Sequence, residues 1–96
     1  MFEKEINKLA NLLDNAGIPY EMEEVYGGWL LCYPTYKNRE SDVICHKFSY
    51  GHEQGLLEMM GLVPDDWEDG DVQGYMTAEE VFEVWNKHYQ EHNKVN

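Results

Sequence analysis

Apolar residues open the chain at spacings of three and four: Phe2, Ile6, Leu9, Leu13 and Ala16, with Leu12 beside them. That stripe predicts an amphipathic helix over residues 2–16. Gly17 follows as a stop, and Pro19 prevents continuation.

The period then shortens. Tyr20 to Tyr26 and Trp29 to Tyr33 are β-prone runs flanking Gly27-Gly28, which predicts a tight hairpin with both glycines at the turn. Such a turn sets Tyr26 opposite Trp29, Glu24 opposite Leu31 and Met22 opposite Tyr33. Tyr20, Met22, Tyr26, Trp29, Leu31 and Tyr33 are then expected on the helix-packed face. Glu21, Glu23, Val25, Leu30 and Cys32 form a mixed, half-exposed face. Pro34 to Ser41 reads as a polar connection with a small basic spot at Lys37 and Arg39, and Asp42 to Phe48 as a third strand.

Beyond Gly51, the residues Leu56, Leu57, Met59, Met60 and Leu62 suggest a short helix from about His52 to Met60, ended near Gly61. Gly55 inside it costs roughly 1 kcal/mol relative to Ala. Pro64 to Gly74 reads as an acidic loop. Thr77-Ala78-Glu79-Glu80 is a capping box, and Ala78, Val81, Phe82, Trp85 and Tyr89 form the inward stripe of a helix running to about His92, with residues 93–96 fraying. The expected fold is one α+β domain over residues 1–96. It consists of a three-stranded antiparallel meander with helices packed on one face, in the order α-β-β-β-α-α.

Charge narrows the functional classes. Nineteen acids face seven bases, for a net −12. No Lys or Arg lies between Phe48 and Asn86, whereas ten acids do: Glu53, Glu58, Asp65, Asp66, Glu68, Asp69, Asp71, Glu79, Glu80 and Glu83. Such a surface disfavours direct binding to nucleic acid or to an anionic membrane, and it attracts a basic protein. No apolar stretch is long enough to span a bilayer, and the first residues lack the pattern of a secretory signal. Two cysteines, Cys32 and Cys45, are too few for a disulfide scaffold and read as reduced, buried thiols. The expectation is a protein of the bacterial host cytoplasm, a monomer or homodimer without cofactor.

Several constellations invite chemistry. Ser49, Tyr50, Gly51 and His52 open the segment running to Gly55, at an expected strand-to-helix junction where free N–H groups favour an anion; this is the candidate pocket for a small ligand or nucleotide. It matches no phosphate-loop fingerprint, and Glu53 competes for the same position. The plainer reading makes Ser49 a helix cap. His88 and His92 have metal-ligand spacing but lack further ligands, so no metal site is assigned. A calcium loop starting at Asp65 fails, because Trp67 and Met76 occupy ligand positions. Cys45 and His46 are adjacent on a strand, so their side chains diverge and no catalytic residue is assigned. Asp65, Asp66, Trp67, Glu68, Asp69, Asp71 and Tyr75 offer aromatic anchors within an acidic rim, the candidate surface for a basic partner.

Five segments carry a resemblance: Gly17-Ile18-Pro19-Tyr20, Asp42-Val43-Ile44-Cys45-His46, Ser49-Tyr50-Gly51-His52-Glu53, Gly55-Leu56-Leu57-Glu58-Met59-Met60-Gly61, and Gly74 to Phe82. Together they resemble small acidic proteins encoded by phages and prophages of Gram-positive bacteria. The resemblance implies a gene of the accessory kind, whose product binds and modulates a host or phage protein; it carries no catalytic residues with it. The expected function is therefore a non-enzymatic interaction protein with a basic partner, nucleic-acid-handling proteins being among the candidates. A ligand-binding module at Ser49 to Gly55 is the alternative.

Overall fold

The computed structural model describes residues 3–63 and 71–93. Helix α1 (Glu3–Ala16) leads into strands β1 (Glu21–Val25), β2 (Gly28–Tyr33) and β3 (Ser41–Cys45). A single 3-10 turn (His52–Gln54) follows, then β4 (Leu57–Met60), β5 (Val72–Met76) and helix α2 (Ala78–His92). All five strands form one antiparallel sheet in sequence order, β1-β2-β3-β4-β5. The α+β class agrees with the sequence reading, but the meander has five strands rather than three.

The segment expected as a helix from His52 to Met60 is mostly strand. Leu57 and Met59 are buried while Glu58 and Met60 are more exposed, an alternation of two that helix spacing had masked in so short a run. Gly55 at φ 71° and Gly61 at φ 79° bracket the segment with left-handed backbone, which stops helix growth on both sides. The last part of the expected acidic loop pairs as β5. Its bond to β4 shifts register between Leu57 and Met59, so Gly74 and Tyr75 together oppose Glu58 as a β-bulge.

The first hairpin is also displaced. The last β1–β2 pair is Val25 with Gly28, and the turn residues are Tyr26 (φ 48°) and Gly27 (φ 76°). Two positive φ values at the turn match the twist of the flanking strands. Gly28 is held in the ladder for a different reason: a Cβ there would lie 2.1 Å from the Cys45 carbonyl oxygen and 2.7 Å from His46 Cα. Glu24, not Tyr26, therefore faces Trp29, and Met22 pairs with Leu31. Met22 still shares its face with Trp29, Leu31 and Tyr33, but Tyr26 leaves the sheet.

Both helices cover one sheet face. Leu31, Tyr33, Val43, Cys45, Leu57 and Met59 meet Ile6, Leu9 and Leu13 of α1 and Ala78, Val81 and Trp85 of α2 in one buried cluster. Tyr33 stacks on Trp85 with ring centroids 5.3 Å apart. The helices are tied end to side: the buried Glu5 carboxylate accepts the Ala78 N–H at 2.8 Å, occupying one of the free donors at the start of α2. Lys8 bridges Glu5 and Glu79 at 3.4 Å each. Thr77 and Glu80 form the expected capping box. The alternate strand positions, among them Glu23, Leu30, Asp42, Ile44, Glu58 and Met60, point to the other face, away from both helices. No helix among the described residues is long and apolar enough to cross a membrane.

Candidate functional site

The loop after β3 is built from its own side chains. The Ser49 hydroxyl accepts the His46 N–H and donates to the His46 carbonyl, both at 3.0 Å, while the Phe48 N–H donates to His46 Nδ1 at 3.1 Å. Accepting at Nδ1 leaves Nε2 as the protonated nitrogen of the neutral ring. Ser49 and His46 are both buried, so the closure is tight. Its geometric effect is to send Phe48 and Tyr50 outward, at 68% and 66% exposure.

Two neighbours extend this display. Tyr26, 68% exposed on the β1–β2 turn, meets Phe48 edge-to-face at 5.7 Å and His46 at 5.3 Å. On the other side, the Tyr75 N–H donates to the Tyr50 carbonyl at 3.4 Å. Tyr75 is the bulged residue of β5, with φ 59° and half its surface exposed. A bulge re-aims a side chain in this way. Glycine at position 51 permits the approach, since a Cβ there would lie 3.0 Å from Tyr75 backbone atoms. Glu58, opposite the bulge, accepts the Tyr50 N–H at 2.9 Å and fixes the loop from below. Tyr26 and Phe48, in ring contact, and Tyr50 and Tyr75, joined through their backbones, thus place four exposed aromatic side chains at one end of the sheet, an aromatic ridge.

The ridge has an acidic flank. Glu53 takes a hydrogen bond from the Tyr75 hydroxyl; its own backbone N–H first, then that hydroxyl, hold its carboxyl below the usual range. The same bond, followed by the charge of Glu53, raises the Tyr75 phenol. His52 Nε2 lies 3.7 Å from Glu53. A recess of about 400 Å³ lined by Tyr50, Val72, Gln73, Gly74 and Tyr75 opens beside the ridge.

Tyr50 and Tyr75, assigned from sequence to different sites, therefore meet in one. Ser49 belongs to the loop's internal closure, and the helix whose N-terminus was to favour an anion at Gly51 and His52 is a single 3-10 turn. Asp71 is exposed, and its carbonyl accepts the Gly61 N–H. Asp65, Asp66, Trp67, Glu68 and Asp69 lie outside the described residues, as does the rest of the calcium-loop segment up to Gly70. Tyr26 and Phe48 were missed, because one was placed on the packed face and the other inside the third strand. No sequence signal separates the two glycines: the close approach of Gly28 to the Cys45 carbonyl, which moves the turn back by one residue, is a tertiary contact.

The remaining constellations are also placed. Cys45 lies in the core and His46 at the sheet end, so they diverge as expected; burial pushes the Cys45 thiol up to about 11, leaving little thiolate near neutrality. Cys32 is on the opposite sheet face from Cys45, pairing with Asp42 while Cys45 pairs with Trp29, so the two thiols do not meet. Burial raises the Cys32 thiol, and Arg39, whose guanidinium contacts Sγ at 3.4 Å, works against that rise. His88 Nδ1 and the Tyr33 hydroxyl share a hydrogen bond of 2.7 Å, and the His88 ring stacks on His92 with centroids 4.0 Å apart. Among the described residues no three His, Cys, Asp or Glu side chains converge as metal ligands. No known family model, no curated protein and no solved structure matches the chain.

Proposed function

We propose that this protein is a non-enzymatic accessory protein of phage type that binds a host or phage protein with a basic surface, using the aromatic ridge as its anchor. The observation that carries the reading is the ridge itself: Tyr26, Phe48, Tyr50 and Tyr75, each at least 52% exposed, at one end of the sheet. Aromatic side chains dominate interface energetics, because they supply large, rigid contact area. The chain as a whole carries a net −12 and Glu53 flanks Tyr75, so the complementary partner is basic, although Lys47 Nζ lies 5.2 Å from the Phe48 ring centroid. The raised Cys45 thiol and its separation from His46 weigh against thiol catalysis.

Affinity capture from nuclease-treated lysate of a Gram-positive host tests this, using the wild type beside Tyr26→Ser/Phe48→Ser. The expected result is a basic protein retained by the wild type, lost with the double variant, and weakened at about 0.5 M salt. A partner held equally by both chains at either salt would remove the ridge and the charge as the basis of binding.

The recess between Tyr50 and Tyr75 supports a second reading, a small-ligand module, since about 400 Å³ lies within the size range of ligand pockets. That reading predicts a thermal shift with a nucleotide or metabolite that Tyr50→Ala abolishes.

A further inference from the structure

Strand β1 lies at one edge of the sheet and, among the described residues, pairs only with β2. Its residues Glu21, Met22, Glu23 and Glu24 are all exposed, and Val25 is half-buried. An edge of this kind presents a row of backbone N–H and C=O groups on its outer side. Five residues at ~3.4 Å each make a strip of roughly 17 Å, long enough to pair with a short extended peptide.

Both ends of the strip are built. At its end, the chain turns through Tyr26, whose ring meets Phe48 in the aromatic ridge. At its start, the Glu21 carboxylate accepts the Tyr36 N–H at 2.6 Å, holding the β2–β3 loop against the strand. Between that loop and the strand is a pocket of about 550 Å³, lined among others by Glu21, Met22, Glu23, Tyr36 and Lys37. Strand addition takes affinity from main-chain bonds and specificity from pockets for alternate side chains, and β1 offers both.

Charge selects the occupant. Glu21 and Glu23 share one face of β1, while Met22 and Glu24 share the other. A second copy of this chain pairing β1 to β1 about Glu23 would set Glu23 against Glu23 and bring together two chains of net −12. Like charges directly opposite are destabilising, so self-pairing is disfavoured, and basic residues opposite the glutamates are favoured.

We propose that β1 accepts an extended, Lys- or Arg-rich segment of the partner protein as a sixth strand, alternating basic and apolar residues and running from the Tyr36 pocket to the Tyr26–Phe48 rings. The inference rests on the basic-partner reading above and gives that partner a conformation and a register.

The test is a titration of isotope-labelled full chain with a short capped peptide alternating lysine and valine, followed by amide shifts and amide exchange. The comparison peptide has proline at every valine. The expected result is slowed exchange confined to the amides of Glu21 to Val25, absent with the proline peptide, and affinity weakened about tenfold by Glu23→Lys with the thermal midpoint unchanged. Equal affinity for both peptides would reduce the effect to bulk charge and overturn strand addition. Protection at β5 instead of β1, or formation of a β1–β1 dimer, would also overturn it. Shifts limited to Tyr26, Phe48, Tyr50 and Tyr75 would overturn strand addition while leaving the ridge as the anchor. No shift at all would overturn it as well, and the capture experiment with the ridge variant would still decide the broader reading.

Discussion

Two aromatic pairs of similar chemistry sit at opposite extremes of solvent exposure. Tyr33 and Trp85 stack at 5.3 Å in the core, with 2% and 0% of their surfaces exposed. Tyr26 and Phe48 meet edge-to-face at 5.7 Å with 68% of each in water. The first pair joins a strand to a helix and removes large apolar surface from water. The second joins two turns and buries far less. Residue type therefore says little about role here; position relative to a strand's alternation decides it. Tyr33 is in phase with Leu31 on the packed face, whereas Tyr26 has slipped past the end of β1 into the turn. One pair is part of the core, and the other leaves most of its surface in water.

Breaking the buried pair has the largest expected effect. Trp85→Ala should lower stability by about 3–5 kcal/mol, through lost burial and the cavity left against Tyr33. Chemical denaturation followed by far-UV circular dichroism would show it as a lower midpoint, and an unchanged midpoint would contradict the assigned core.

Gly28→Val tests what keeps Tyr26 in the turn. Any Cβ at position 28 meets the Cys45 carbonyl, so β2 and β3 must separate, at a cost of about 1–3 kcal/mol or more. Faster amide exchange should be centred on Trp29 and Cys45. Exchange rates like those of the wild type would show that the strands adjust without loss.

Glu5→Ala removes the acceptor for the Ala78 N–H and should cost about 1–3 kcal/mol, while Glu5→Gln should restore most of the loss. Identical midpoints for the alanine and glutamine variants would mean that packing, not the hydrogen bond, joins the helices.

Alkaline pH distinguishes the interior from the surface. The Cys45 thiol is raised from 9.0 to about 11 by burial, so the unfolded chain releases this proton first. The folded state gains from that difference nothing above its own value: stability is fully present below about pH 9 and falls as pH rises through about 11. Burial raises Cys32 and Tyr33 in the same direction. Cys45→Val should flatten the loss between those values in pH-dependent melting. A slope identical to wild type would assign the loss to the other groups.

The exposed pair should give the smallest change in stability. Tyr26→Ser with Phe48→Ser is expected to shift it by no more than about 0.5 kcal/mol, since little surface is buried there. A larger loss in thermal melting would make the ridge a structural element and weaken its reading as an interface.

Much of this is legible in the sequence. The α1 stripe, the Gly17 stop, the Thr77–Glu80 capping box and the α2 stripe all rest on interactions within a few residues, which sequence spacing reports directly. The β4 segment was not legible as strand. Four residues hold too few repeats to separate a period of two from one of 3.6, and its partner β3 is set by pairing across the fold. Of the candidate site, Tyr50 and Tyr75 were named, but their meeting depends on a β-bulge with no local signature. Tyr26 and Phe48 were misplaced for a related reason.

The sequence by itself determined the helices, their buried faces, the acidic balance and the even–odd phase of β2, because each follows from neighbours along the chain. Only the tertiary structure decided which glycine of the Gly27-Gly28 pair belongs to the ladder, that Glu5 caps a helix 73 residues away, and that four aromatic residues from two turns and a strand bulge gather at one end of the sheet. The reason is physical: these features depend on how closely separate backbones approach, and a one-dimensional pattern carries no record of that distance.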